Sequence, residues 1–275
     1  MMPPADTPLP RRIIIAASCY ADATRAIPMA AGLARWTGAD LHGILVEQDE
    51  ALTSVGMFSA GLITFTGTQL AAPTLPQMRR SLASDARRFE MELARLSQAN
   101  KRDWTFERLQ GDLMVRMRAA VEMADILLVG HQGFYRHPGA VILIQSPGQA
   151  QQRTFDIATE LARKQNAPLF ICATATGAQQ RHLASSEQEN MLRRANLAGS
   201  GAGVFGSTGE ILDRINRSCA VAVVIDTKAD PFHSNADMGL LLDVARCPLV
   251  IVGSGDDPLS MDIHKPGSHA TNAPS

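Results

Sequence analysis

At 275 residues the chain has room for two small domains or one large one. Hydrophobic residues make up 45% and charged residues 19%, too apolar a mixture for a disordered protein. Lys plus Arg (26) nearly balances Asp plus Glu (27), so no basic field points to nucleic acid or an acidic membrane surface, and no apolar run approaches the roughly 18 residues of a membrane span.

The opening MMPPADTPLPRR places its arginines after its prolines and has no long apolar core. It reads as a flexible arm (residues 1–10), not a signal peptide, which sets the cytoplasm as the expected compartment. Residues 13–17, short and rich in isoleucine, predict a strand. Residues 24–37 are amphipathic at helical spacing, with Ile27, Ala30, Ala31 and Ala34 on one side and Gly38 as the stop. A second strand is predicted at 41–47. The connection 49–77 is longer than the roughly 12–15 residues usual in a compact domain, and too apolar for simple disorder. It is either a flap on its own domain or an oligomer or partner surface, and Met57, Phe58, Leu62, Ile63 and Phe65 are the interface candidates.

Residues 79–98 predict a long helix whose apolar face runs Leu82, Ala86, Phe89, Leu93, Leu96. Its arginines (Arg79, Arg80, Arg87, Arg88, Arg95) alternate with acids, the pattern of a solvated face and not of a phosphate patch. A strand (104–109), a helix (112–123) and a fully apolar strand (126–130) follow. The second half repeats the plan: strand 141–145, helix 149–165, strand 169–173, helix 185–197, a weak strand 202–205, helix 209–217, strand 221–226, helix 237–245 and strand 249–253. The polar tail from 255 reads as disordered. Strands alternating with helices, nearly all apolar, imply parallel sheet covered on both faces.

The chain also repeats itself. LARWTGADL (33–41) returns as LARKQNAPL (161–169), and GDLMVRMRAAVEMADILLVGH (111–131) has a counterpart in GSTGEILDRINRSCAVAVVID (206–226). The expected organisation is a first domain at 11–137 and a second at 138–254. Between the strand ending at Val129 and the one starting at Val141 only GHQGFYRHPGA intervenes, so the first half lacks its last helix and strand and should expose a sheet edge there.

The motifs IIIAAS, ADLHGILVE and GDLMVRMRAAVEMADILLVG, with AVILIQSPGQA and ARCPLVIVG in the second half, make the chain resemble the universal stress protein family in a tandem two-domain form. The resemblance implies a Rossmann-like α/β sandwich, commonly dimeric, in a family that divides into ATP binders and non-binders. The binders carry an aspartate after the first strand, a G-x-x-G pair after the fourth, and a Gly-Ser or Gly-Thr dipeptide opening a helix. Here the aspartate positions hold Ser18 and Gln145; the first half keeps Gly130 and Gly133, and the second reads DTKADPFHSNADMG from Asp226. The resemblance thus implies degenerate ATP motifs in both halves.

Ser18, Gly130, His131, Gly133, Gln145 and Asp226 are the pocket candidates, since open α/β sheets bind ligands at the carboxyl ends of their strands. The glycine-rich LAGSGAGVFGSTGE (197–210) lacks the lysine of a P-loop and reads as a turn capped by Ser207 or Thr208. The scattered cysteines (Cys19, Cys172, Cys219, Cys247) predict neither disulfide nor metal. No nucleophile elbow, triad order or carboxylate pair emerges. The expectation is a non-catalytic protein without a cofactor, acting by self-association (a homodimer) or on a protein partner in stress adaptation or regulation. The alternative is an adenine-nucleotide sensor with a non-standard pocket.

Overall fold

In the computed structural model, residues 11–47, 62–63, 69–70, 74–131, 139–146, 152–175, 177–226, 232 and 234–253 are described. The first half runs β1 (Arg12–Ala17), α1 (Tyr20–Thr37), β2 (Asp40–Glu47), β3 (Leu62–Ile63), β4 (Gln69–Leu70), α2 (Leu75–Asn100), β5 (Trp104–Gln110), α3 (Leu113–Met123) and β6 (Ile126–Val129). The second runs β7 (Val141–Gln145), α4 (Gln152–Lys164), β8 (Leu169–Thr174), α5 (Ala178–Ala195), β9 (Gly201–Phe205), α6 (Thr208–Arg217), β10 (Ala222–Asp226), α7 (Asn235–Ala245) and β11 (Leu249–Val252).

Local chemistry sets many of these ends. Gly38 closes α1 in the left-handed region at φ 87°, which costs glycine nothing. Gln77 Oε1 accepts from Thr74 N–H at 2.8 Å where α2 begins. Asp112 Oδ1 accepts from Val115 N–H at the start of α3, and Ser207 Oγ from Glu210 N–H at the start of α6. Helix α1 begins a turn before the residues its apolar periodicity marks, and α5 begins at Ala178, where its residues are exposed and carry no apolar stripe to read.

Nine strands form one sheet in the order β5-β2-β1-β6-β11-β10-β7-β8-β9. Every neighbouring pair is parallel except β6 and β11, which run antiparallel from Leu249 opposite Val129 to Val252 opposite Ile126. Alternation along each strand splits the core into two layers. Ile13 and Ile15 pack with α1, α2, α4 and α5 on one face, while Ile14 and Ala16 belong to the layer under α3, α6 and α7. The fold is α/β, a mostly parallel sheet with helices on both faces.

One expectation is corrected. The edge left by the missing helix and strand is not exposed: β11, the extra strand of the second half, pairs with β6 and closes both halves at once. The strands ILLV and LVIV are buried along their whole length, so two apolar faces and a row of main-chain donors gain partners together.

The seam is pinned by Asp125, just before β6. Its Oδ2 accepts from Arg11 N–H at 2.7 Å and Arg12 N–H at 3.1 Å, its Oδ1 from Arg153 Nη2 of α4 at 2.9 Å, and its carbonyl oxygen from Gly253 N–H at 2.9 Å. The Arg153 side chain is 8% exposed, so losing its carboxylate strands a buried cation. Asp125→Ala should therefore lower stability by about 3 kcal/mol, and the apolar, unbranched Arg153→Met by less than half of that, measured by urea unfolding.

Candidate functional site

Because β6 and β11 are antiparallel, the carboxyl ends of the two halves point to opposite ends of the sheet. The candidates therefore fall into two groups. Ser18, Gly130 and His131 sit together at the carboxyl ends of β1 and β6; Gln145 and Asp226 sit at the other end, on β7 and β10. Gly133, Met57, Phe58 and Phe65 lie outside the described residues. Leu62 and Ile63 form β3, whose main chain pairs antiparallel with β4.

At the first end the chain turns from β1 into α1 through Ser18 and Cys19. The start of α1, where main-chain N–H groups and the helix dipole favour an anion, already holds the protein's own carboxylates. Asp85 Oδ2 of α2 accepts from Tyr20 N–H at 3.3 Å, and Asp22 lies in the first turn. Asp22 Oδ2 accepts from Cys19 Sγ at 3.2 Å, and Asp22 Oδ1 lies 4.0 Å from His131 Nδ1. Burial, and then the carboxylates of Asp22 and Asp85, push the Cys19 thiol up to about 11 despite a main-chain bond at Asp22 that lowers it. At neutral pH it is a protonated thiol and not a nucleophile. Gly130 has a packing reason of its own. A Cβ there would sit 2.6 Å from Asp22 O, so α1 reaches β6 only because the residue is glycine.

At the second end Asp226 and Gln145 occupy adjacent parallel strands, one position beyond the Ile225–Ile144 pair, and so share the α4 face. Thr154 Oγ1 of α4 donates to Asp226 Oδ2 at 2.9 Å. Asp226, Thr154 and Gln145 are all buried, and Gln145 Nε2 has no hydrogen-bond partner among the described residues. Arg153 of α4 is bonded through Nη2 to Asp125, while its buried Nε has no hydrogen-bond partner among the described residues. Both ends thus present carboxylates where a phosphate would be expected to dock. Among the described residues no group of three His, Cys, Asp or Glu side chains is arranged to hold a metal, and no helix is long and apolar enough to cross a membrane.

Sequence reasoning missed three polar sets. His42 of β2 is buried between Thr105 Oγ1 (2.6 Å from Nδ1) and Glu107 Oε1 (2.9 Å from Nε2) of β5. Asp85 reaches α1 from another helix, and Asp125 joins the halves. None has a local signal, since each partner lies far along the chain. The arginines of α2, in contrast, are exposed as their pattern implies, and Ser207 caps α6.

No family model and no curated protein matches the chain. Among solved structures it is similar to a universal stress protein from Archaeoglobus fulgidus DSM 4304 (11% identity, TM-score 0.49, covering 90% of this chain and 98% of that one). It is also similar to the cytoplasmic domain of a prokaryotic cation chloride cotransporter (12%, 0.45, 90% and 97%) and to a putative universal stress protein from Pseudomonas aeruginosa UCBPP-PA14 (12%, 0.43, 89% and 93%).

Two measurements check the first end. Alkylation of Cys19 by iodoacetamide, followed on its own peptide by mass spectrometry, should be slow at pH 8 and climb towards about pH 11; Asp22→Asn should move that rise to lower pH. Gly130→Ala should cost about 1–3 kcal/mol in urea unfolding, because the added methyl meets backbone that cannot swing aside.

Proposed function

We propose that this chain is a non-catalytic, universal-stress-type protein of the cytoplasm that acts by association, as a homodimer or on a protein partner, in stress adaptation or regulation. The observation that carries this reading is electrostatic. At each carboxyl end of the sheet the positions suited to an anion are taken by the protein's own acids: Asp22 and Asp85 around the start of α1, Asp226 bonded to Thr154 near the start of α4. A triphosphate brought to either place meets like charge, and the charge of the buried Arg153 is paired with Asp125. A thiol held protonated gives no nucleophile at the first end.

The long connection supports association. Its β3–β4 ribbon joins no other strand among the described residues, and a lone two-stranded hairpin is marginal in water. The link to stress rests on the sequence motifs set out above.

A second reading, an adenine-nucleotide sensor, draws on Gln145. A buried amide donor without a described partner beside a carboxylate suits a ribose hydroxyl or a base edge better than phosphate. Thermal melting with ATP, ADP, AMP and cyclic nucleotides separates the two. A ligand at 100 times its Kd adds about 2.7 kcal/mol, so an unchanged melting curve with all of them is the expected result, and a clear upward shift with any one of them favours the sensor.

A further inference from the structure

The two edges of the sheet are built differently. On β5, Leu41 N–H donates to Asp103 O and Gly111 N–H to Glu47 O, so alternate residues from Asp103 face β2, while Trp104, Phe106, Arg108 and Gln110 turn their main-chain groups outward. Arg102, Glu107 and Arg108 lie along this edge, and charges of this kind discourage a further strand.

Strand β9 has no such protection. Ala175 N–H donates to Phe205 O, which turns Gly201, Gly203 and Phe205 towards β8 and leaves the N–H and C=O of Ala202 and Val204 pointing out. None of its residues is charged or proline, and all are partly exposed. The strand is also slim. A Cβ on Gly203 would lie 2.9 Å from the Phe205 ring, and one on Gly201 3.3 Å from the Phe170 ring, so the two glycines leave room for these rings.

We propose that β9 is where a second copy of this chain docks, the two β9 strands pairing antiparallel about a two-fold axis through Gly203. In that register Ala202 lies opposite Val204 of the other copy. Such a pair exchanges both N–H···O bonds, so all outward groups of both strands are satisfied and the contact closes on itself. The proposal deepens the association reading and rests on it.

Charge favours a second copy over an unrelated strand. Glu210, Arg214 and Arg217 form one stripe of α6 on the β9 side: Glu210 Oε2 accepts from Gly206 N–H at 2.9 Å, and the Arg214 guanidinium lies 4.2 Å from the Phe170 ring centre. The stripe is acidic at the carboxyl end of β9 and basic at its amino end. Antiparallel pairing brings Glu210 of each copy towards Arg217 of the other. Arg181, close to Gly206, tempers the acidic end, so charge orients the pair and main-chain bonds hold it.

Light scattering on the full chain should show a dimer for the wild type and a monomer for Val204→Pro at unchanged circular dichroism. The proline removes only an outward N–H and leaves the β8–β9 ladder whole. The register has its own test. Opposed Cα atoms stand about 5.5 Å apart, within disulfide range. Ala202→Cys and Val204→Cys proteins mixed under oxidation should therefore yield a 202–204 disulfide by peptide mass spectrometry, and neither protein alone should form it. This decides the matter if the proline variant misfolds. A monomeric wild type overturns self-association altogether. A dimeric wild type with no mixed disulfide, or one that Val204→Pro leaves dimeric, overturns the β9 edge and leaves the association reading standing.

Discussion

The antiparallel pairing of β6 with β11 is the constraint on which the rest of the molecule depends. Each half is a parallel sheet apolar on both faces, and the first would end at β6 with an open edge. One strand, β11, serves both. Since it runs parallel to β10 and antiparallel to β6, the second half is turned end for end relative to the first. The same-face layers then meet across the seam: α1 lies beside α4 on one face, and α3 beside α7 on the other. Arg153 is thereby delivered to Asp125, and that ion pair fastens the start of β1, the start of β6 and α4 to one carboxylate.

The same turn governs the chemistry. Two carboxyl ends that a tandem of independent domains could combine into one cleft lie instead at opposite ends of one sheet, and each is furnished separately. Acids occupy both, but their settings differ. At the first end Asp22 and Asp85 serve the helix start, and burial, with these acids beside it, holds the Cys19 thiol protonated. At the second, Asp226 is buried beside Thr154 and Gln145. A buried polar group without a partner costs more than a satisfied one, so the Gln145 amide differs from Asp226 and Thr154, which are bonded to each other.

Closing an edge inside the chain also shapes how the protein meets others. The seam uses up one edge of each half, leaving β5, guarded by charge, and β9, which among the described residues is uncovered, slim and flanked by a graded stripe of charge on α6. In the proposed dimer the physics that joined β6 to β11 applies again at β9, with a second molecule as the source of the missing strand.

Much of this was legible in single residues. Ile13 to Ala17 alternate between the two core layers as a strand with two buried faces must, the Phe89–Leu93 stripe fixes the buried side of α2, and Gly38 and Ser207 mark a helix end and a helix start. These features are written within a few residues of one another, and local periodicity is enough to read them. The partner of β6 was not legible, because strands as apolar as ILLV and LVIV carry no mark of direction, and the bond between residues as distant as Val129 and Leu249 depends on which edges remain open when everything else has paired. Nor were the meeting of Asp125 with Arg153, of His42 with Glu107, or of Asp85 with the start of α1. The sequence by itself determined most of the elements, their buried faces and several of the glycines and caps that end them. Only the tertiary structure decided the seam, the separation of the two ends and the placement of their acids, since each of these follows from strand order and direction.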